Sequence, residues 1–284
     1  MKVGLALSGG GIRGIAHAGV LKALEESNIN IDMIGGTSSG SLVASLYALG
    51  YSPYYIYILF KKYADDLTRL NASSIATGVG NFLINKKVSI SGLKTGESIE
   101  ETYNKLALKK GKIEINQIEM PIVIPAVDVS NSKEYVFSSI LPEGENNEKY
   151  ITDITVGKAV RASSSFPVVF SPCEYKQHLF IDGGALNNTP ALEIKKLGAN
   201  KVISVKFDSD TVNKDSNIMD IAMKVVDIMG SKVSEESLYM SDYVITIPSD
   251  GTGLLETSKI DYCYKSGYNT VIEHIDEIKK SLEC

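Results

Sequence analysis

The start of the chain repeats one pattern of apolar and polar positions. An apolar run over residues 2–8 predicts a buried strand, and apolar positions at helical spacing over 15–26 predict the helix that follows it. A second apolar run over 29–34 and a second helical pattern that ends at Leu49, before Gly50, have the same order. Because two strand and helix units follow each other so closely, the pattern predicts a parallel sheet with crossover helices.

Residues 51–110 break this pattern. A helix is predicted to start at Ser52-Pro53, and its first turns are crowded with aromatic side chains. A loose segment rich in Ser, Thr and Gly follows over 71–80, and a further helix is predicted over 95–108. The segment therefore predicts a helical insertion rather than another part of the sheet.

Strand and helix patterns return after residue 120. The predicted strands span 121–129, 135–139, 179–182, 201–207 and 243–247, and the predicted helices span 154–163, 190–197, 220–239 and 260–282. We find no internal repeat, and no linker rich in Pro, Gly or Ser separates these segments. The sequence therefore predicts one α/β domain over 1–284, with three layers, α/β/α, around a mainly parallel central sheet.

Composition and charge are those of an ordinary globular protein. Of 284 residues, 44% are hydrophobic and 22% are charged, and the formal net charge is −5. The acidic balance, with no Lys/Arg block, argues against a nucleic-acid partner. The cysteines Cys173, Cys263 and Cys284 match neither a disulfide framework nor a metal-ligand spacing, so we expect no metal and a reducing compartment. We find no signal peptide and no long apolar run, and therefore expect no transmembrane segment and a cytoplasmic location.

A serine lies between two glycines where the second strand meets the second helix. Ser38 has Gly36 two residues before it and Gly40 two residues after it, which is the pattern of a nucleophile elbow. Glycine is needed on both sides because the strand and the helix pass within contact distance. Ser39 lacks this symmetry and is better explained as a helix-start hydroxyl. The pattern is short, and an ordinary turn remains the alternative.

A glycine run connects the first strand to the first helix. The N–H groups of Gly9, Gly10 and Gly11 are free to point at a bound oxygen, so they are candidate donors for an oxyanion. Arg13 has two interpretations: it holds this loop through carbonyl or carboxylate contacts, or it adds positive charge near a phosphate.

The same run also matches the dinucleotide-binding fingerprint. Gly9-x-Gly11-x-x-Gly14 follows a predicted strand and opens a helix, as that fingerprint requires. The fingerprint expects an acidic residue at the end of the next strand. Asp32 lies 18 residues after Gly14, but early in the second predicted strand. A nucleotide-binding or regulatory module therefore stays open as an alternative.

A serine nucleophile also needs an acceptor for its proton. The three histidines, His17, His178 and His274, do not suit a Ser-His-Asp order, and each fits a structural role. A carboxylate that acts directly on the serine is the other solution. Asp182, directly before two glycines at the end of a short predicted strand, is the candidate.

Three ordered motifs, GGGIRG, GTSSG and DGG, resemble the patatin-like phospholipase family, of the bacterial type. The resemblance continues through 159–167, similar to that family's RAS-x-x-x-P segment, and 182–190, similar to its DGG-x-x-x-N-x-P segment, and it covers roughly residues 3 to 205. It implies a patatin-like fold with a Ser38–Asp182 dyad and the amides of Gly9 to Gly11 as oxyanion hole. It also implies no cofactor. The residues expected to support the dyad are Arg13, Gly36, Gly40, Gly183 and Gly184.

The resemblance implies hydrolysis of acyl esters of glycerolipids. The expected enzyme is a phospholipase A or lysophospholipase that works through an acyl-serine intermediate on a lipid substrate, at a membrane surface in one interpretation. Acyl transfer or general carboxylesterase activity by the same dyad is the alternative. The insertion at about 51–110 is then lid-like. Its aromatic helix is either core or a lid that opens at a lipid surface, where tyrosine rings favour the interface.

Overall fold

A computed structural model describes residues 1–68, 95–146, 148–167, 169–208, 218–253 and 256–283. The strands are β1 (Val3–Leu7), β2 (Met33–Gly36), β3 (Ile122–Asp128), β4 (Lys133–Ser138), β5 (Tyr150–Ile151), β6 (Cys173–Tyr175), β7 (His178–Asp182), β8 (Lys201–Phe207) and β9 (Tyr243–Ile247). The helices are α1 (Ala16–Glu26), α2 (Ser39–Ala48), α3 (Pro53–Thr68), α4 (Glu97–Lys109), α5 (Val156–Ser163), α6 (Ala191–Lys196), α7 (Ile218–Leu238), α8 (Ile260–Glu273) and α9 (Ile275–Leu282).

The strands form one sheet in the order β5-β4-β3-β2-β1-β8-β9, and the hairpin β6-β7 joins it at β3. The pairs β1-β2, β1-β8, β2-β3, β4-β5 and β8-β9 are parallel. The pairs β3-β4, β3-β7 and β6-β7 are antiparallel. The sheet is thus mainly parallel, as predicted. The helices between successive parallel strands, such as α1 between β1 and β2, return the chain to the end of the sheet where the previous strand began.

Helices cover both faces of the sheet. Along β1, Leu5 and Leu7 join the core under α1, α2 and α8, whereas Ala6 joins a second core with Ile194 of α6. Successive side chains of a strand point to opposite faces, so a strand that is apolar throughout must be covered twice. This arrangement confirms the predicted three-layer α/β/α fold.

Several boundaries differ from the sequence predictions. The second strand was predicted over 29–34, but β2 starts at Met33. At Asp32 the N–H donates to the Val3 carbonyl oxygen at 2.8 Å, whereas the Val3 N–H donates to the side-chain atom Asp32 Oδ2 at 2.7 Å rather than to a backbone oxygen. Strands β5 and β6 were not predicted, since two or three residues are too few to show a periodicity. The helical tail is two helices, broken at His274.

Two helices of the predicted insertion, α3 and α4, are among the described residues, whereas the loose segment over 71–80 lies outside them. Ile56 and Phe60 of α3 are buried in the main core. The Tyr57 hydroxyl and the Lys61 Nζ atom each lie 2.7 Å from Asp261 Oδ1 on α8. These contacts favour the core interpretation for α3. A lid-like role for the rest of the insertion stays a prediction.

Helices α1 and α8 approach each other closely through glycine. A Cβ atom at Gly267 would overlap the backbone of Ala16, and one at Gly19 would overlap the carbonyl oxygen of Tyr264. The two helices can therefore pack with their backbones in contact, and only glycine fits at both positions.

We expect Gly267→Ala to lower the free energy of unfolding by about 1–3 kcal/mol, because the added methyl group forces α8 away from α1. Urea unfolding measures this change. Asn269→Ala, at an exposed position of the same helix, is the control and should change stability by less than about 0.5 kcal/mol. Unchanged or increased stability of Gly267→Ala would contradict the close helix contact, since alanine alone favours helix.

Candidate functional site

The register on β3 brings two distant segments of the chain together. β2 pairs with Ile122 and Val123 at the start of β3, and β7 pairs antiparallel with the other end of β3, where Asp182 faces Ala126. Since β4 occupies the opposite side of β3, β2 and β7 lie along one side and meet end to end. Ser38, just after β2, and Asp182, the last residue of β7, therefore become neighbours.

Ser38 lies at the tip of a strained turn between β2 and α2. Its backbone has φ 53° and ψ −123°, a conformation that L-residues rarely adopt and that costs on the order of 1–3 kcal/mol. A Cβ atom at Gly36 would overlap the Gly40 carbonyl group, and one at Gly40 would overlap the Leu7 carbonyl group. The two glycines thus let strand and helix touch, which is the geometry of a nucleophile elbow.

Serines from the end of α5 and from α2 hold the turn in place. The Ser38 N–H donates to Ser163 Oγ at 3.1 Å. The Ser38 carbonyl oxygen accepts from Ser41 Oγ at 2.6 Å and from Ser164 Oγ at 3.3 Å. The sequence analysis missed these contacts. The run of three serines after Arg161 was the signal for them, because consecutive polar residues at a buried helix end need partners.

The Asp182 carboxyl group is 3% exposed and lies beneath this turn. Burial raises the pKa of the carboxyl group to about 6, although hydrogen bonding to the Ser38 side chain and to the Gly184 N–H opposes that rise. Oδ1 accepts the Gly184 N–H at 2.8 Å. Within the described part of the chain, Oδ2 has no hydrogen-bond donor, so one oxygen of this buried carboxyl group is left without a partner.

The glycine run after β1 lies against Ser38, but its amides are not equivalent. The Gly9 N–H donates to both the backbone oxygen and the Oδ1 atom of Asn188, each at 3.1 Å. The N–H groups of Gly10 and Gly11 donate to no acceptor among the described residues. Of the three predicted donors, Gly9 is therefore already engaged by Asn188. This residue is the asparagine of the DGG-x-x-x-N-x-P segment, which was the sequence signal for it, although no individual role was predicted for it.

Arg13 holds the glycine run from inside the protein. Its guanidinium is buried; Nε donates to the Gly10 carbonyl oxygen at 3.3 Å, and the group lies 5.1 Å from the ring centroid of Phe207. Of the two interpretations of Arg13, these contacts support the one in which it orders the loop.

The two glycines after Asp182 fit their surroundings closely. A Cβ atom at Gly183 would overlap the carbonyl group of Pro125, and one at Gly184 would lie 3.0 Å from Asp182 Oδ1. Gly183 therefore lets the backbone pass close to β3, and Gly184 keeps it close to the carboxylate; their role as supporting residues stays a prediction.

None of the three histidines, all within the described residues, hydrogen-bonds Ser38. His17 Nε2 lies 2.8 Å from the Ser8 carbonyl oxygen, and burial lowers its pKa to about 4. His178 Nδ1 lies 2.7 Å from Asp128 Oδ2. His274 Nδ1 lies 2.9 Å from the Thr270 carbonyl oxygen. All three have the structural roles that the sequence predicted.

The nucleotide-binding alternative does not fit the position of Asp32. In the dinucleotide-binding fold, the acidic residue ends the second strand and faces the ribose. Here Asp32 precedes β2, at the end of the strand remote from the glycine run, and its Oδ2 atom accepts the Val3 N–H.

The described residues also include no group of three or more His, Cys, Asp or Glu side chains that could hold a metal ion.

A polar cleft of about 1070 Å³ opens elsewhere, lined by residues that include Lys133, Tyr135, Lys149 and His178. Neither Ser38 nor Asp182 lines it. The cleft is not the site that the motifs define, because it contains neither the strained serine nor the buried carboxylate.

The profile of the patatin-like phospholipase family matches residues 5–194. The match covers the end of β1, the turn that carries Ser38, α5 and the strand that ends in Asp182. This chain therefore belongs to the patatin-like phospholipase family, which confirms the predicted family.

Curated relatives share parts of this sequence. The lysophospholipase NTE1 of Lodderomyces elongisporus is 28% identical over 292 residues, which cover 93% of this chain and 18% of that protein. The lysophospholipase NTE1 of Meyerozyma guilliermondii is 31% identical over 207 residues, 73% of this chain and 13% of that protein. The chain thus spans less than a fifth of the length of these relatives.

Solved structures with a similar fold include two bacterial proteins. VipD from Legionella pneumophila gives a TM-score of 0.51 at 15% identity, over 97% of this chain and 67% of that chain. The type III effector ExoU of Pseudomonas aeruginosa gives 0.51 at 17% identity, over 99% of this chain and 54% of that chain. At this identity the likeness concerns the fold alone.

We expect Asp182→Asn to stabilise the protein above pH 6. The folded-state pKa of Asp182, about 6, lies above the ordinary aspartate pKa of 3.8. The folded state therefore holds its proton more tightly, and stability falls as pH rises through that window. Asparagine removes this cost, so the gain should approach about 3 kcal/mol above pH 6 and shrink toward zero below pH 4.

Urea unfolding of both proteins between pH 4 and pH 8 measures the difference. Glu143→Gln, which neutralises an exposed carboxylate, is the control and should shift stability by less than about 0.5 kcal/mol throughout. A difference between Asp182→Asn and the parent protein that does not vary with pH would show that the carboxyl group titrates normally.

Proposed function

We propose that this chain hydrolyses carboxylic esters of glycerolipids with Ser38 as nucleophile and Asp182 as the group that accepts its proton. The observation that supports this most is the meeting of a strained, glycine-flanked serine with a buried carboxylate of raised pKa, where no histidine takes part. A carboxylate with a pKa near 6 is mostly ionised at neutral pH, yet it accepts a proton more readily than an ordinary aspartate.

In the proposed first step, Ser38 Oγ attacks the ester carbonyl carbon while its proton moves to Asp182. The tetrahedral intermediate collapses to an acyl-serine, and the alcohol portion leaves with a proton from Asp182. Water then attacks the acyl carbon while Asp182 takes one of its protons, and the second tetrahedral intermediate collapses to the fatty acid as Asp182 returns the proton to Ser38 Oγ. Each proton taken by Asp182 is thus returned within the same half-reaction.

The oxyanion of the intermediate would be held by the N–H groups of Gly10 and Gly11. Both lack acceptors in the described part of the chain and precede a helix, where backbone donors favour negative charge. Gly9 is a weaker candidate because Asn188 already takes its N–H. We assign Asn188 a positioning role: it ties the glycine run to the loop that carries Asp182.

For the substrate, we propose a lysophospholipid or phospholipid. The curated relatives are named lysophospholipases, and their matches cover 93% and 73% of this chain. No helix in the described residues is long and apolar enough to cross a bilayer. We propose that the lipid is bound from an aggregate or a membrane surface.

We expect Ser38→Ala and Asp182→Asn each to lower kcat for lysophosphatidylcholine hydrolysis by about 10³-fold or more, because the two side chains act as a unit. Fatty-acid release measures the rate, and mass spectrometry after fluorophosphonate treatment locates the modified serine. The parent protein should be labelled at Ser38. Near-parental turnover by Asp182→Asn, or labelling of another residue, would rule out the dyad.

We expect Asn188→Ala to lower kcat about 10-fold or more while KM changes less than twofold, because the glycine run loses its side-chain anchor but the substrate surface is kept. Asn187→Ala is the matched control. Its Nδ2 atom donates to Glu134 at 2.7 Å, away from the glycine run, so kcat should stay within threefold. Equal losses in both variants would show general damage to the loop rather than positioning by Asn188.

A further inference from the structure

One side of helix α7 exposes a continuous row of apolar side chains. Ile221, Val225, Ile228, Met229 and Val233 are each 44–56% exposed. Their spacing of three and four residues puts them on a single face of the helix. We call these five residues the outer face of α7. Single exposed apolar residues are common on any protein surface. A contiguous patch of them is not, and contiguous apolar patches mark interaction sites.

The inner side of α7 is bonded to the loop that follows Asp182. A Cβ atom at Gly230 would overlap the Gly184 carbonyl oxygen, so helix and loop are in backbone contact. Ser234 Oγ accepts the Asn188 N–H at 3.0 Å, and Ser237 Oγ donates to the Thr189 carbonyl oxygen at 2.7 Å. A partner bound to the outer face would therefore be separated from the loop that follows Asp182 by the thickness of one helix.

Apolar exposure continues beside this helix. Leu186, in the loop itself, is 37% exposed, and Leu192, whose N–H donates to Ser237 Oγ, is 38% exposed. Tyr239 and Met240, directly after α7, are also exposed. Tyrosine at the margin of an apolar patch suits a boundary between hydrocarbon and water.

Acidic residues outnumber basic ones on α7. Over Ile218–Leu238 the sequence has Lys224 and Lys232 against Asp220, Asp227, Glu235 and Glu236, a formal net charge of −2. Lys232 Nζ lies 2.9 Å from Glu235 Oε1. This acidic excess disfavours an anionic lipid surface, and the apolar outer face favours a lipid surface without net charge.

The size of the outer face also distinguishes between occupants. Five half-exposed side chains provide on the order of 400–500 Å² of apolar surface. A stable dimer of standard size needs roughly 800 Å² from each partner. A helix that lies in a lipid interface needs only one apolar face, buried to a depth of about 5–10 Å.

We propose that the outer face of α7 docks on the surface of a zwitterionic lipid aggregate and so holds the catalytic loop next to its substrate. This inference rests on the proposed function for the choice of lipid as partner. The helix lies in the plane of the interface, its apolar side chains enter the acyl boundary, and its opposite side keeps the hydrogen bonds to the Asp182 loop.

Vesicle binding tests the docking without turnover. Two proteins are sedimented with phosphatidylcholine vesicles: the Ser38→Ala variant, and the same variant that also carries Ile228→Glu and Met229→Glu. We expect the pair to lower the partition coefficient at least tenfold. Ile272→Glu, at a similarly exposed apolar position on α8, is the matched control and should stay within twofold. Raising the salt from about 0.05 to 0.5 M should change binding less than twofold, since phosphatidylcholine vesicles carry no net charge.

Hydrolysis of a soluble monomeric ester, p-nitrophenyl butyrate, separates this inference from the proposed function. With Ser38 restored, the Ile228→Glu and Met229→Glu protein should keep parental kcat on this ester and lose activity only on vesicles. Parental protein that binds vesicles but cleaves neither substrate would overturn the proposed function alone. The docking would be overturned if the double variant bound vesicles as well as the parent, or if Ile272→Glu lost binding equally. It would also be overturned if the parent did not bind vesicles but formed a dimer that the two substitutions abolish.

Discussion

The site depends on how β3 is shared between two strands. β2 takes the first part of one side of β3, and β7, running the other way, takes the last part of the same side. Their ends therefore face each other, and residues 38 and 182, which are 144 positions apart in the sequence, become neighbours. A slip of β7 by one residue would turn the Asp182 side chain to the other face of the sheet. The antiparallel β6-β7 hairpin in an otherwise mainly parallel sheet thus has a functional consequence.

The carboxylate at this junction is costly to the fold and useful to the chemistry. Burial of Asp182 raises its pKa to about 6, so the folded state bears a free-energy cost when the group ionises. The backbone conformation of Ser38 adds a second cost, since it is strained. It persists only because the packing of α2, α5 and the neighbouring glycines holds it in place. In the proposed mechanism both costs serve the same step, the transfer of the Ser38 proton.

The sequence contained most of the fold and the two side chains of the proposed dyad, but not the contacts that orient them. Apolar runs predicted β8 and β9 with their observed bounds, because several residues of each strand are buried in the core. The motif glycines predicted the elbow. The role of Asn188 could not be predicted, because it depends on the Asp182 loop folding back onto the glycine run, which is a tertiary contact between residues far apart in the chain. The start of β2 was predicted wrongly for a similar reason. The Asp32 side chain accepts the Val3 N–H, and this contact between distant residues is not visible in the apolar pattern.

The central claim is that the ionised Asp182 carboxylate takes the Ser38 proton from within its buried site. The most direct measurement is the rate of fluorophosphonate modification of Ser38 as a function of pH. The account predicts a rate that rises with an apparent pKa near 6 and is level above pH 7, because only the ionised carboxylate can accept the proton. A rate that is constant from pH 5 to pH 8, or a midpoint near 4, would contradict it.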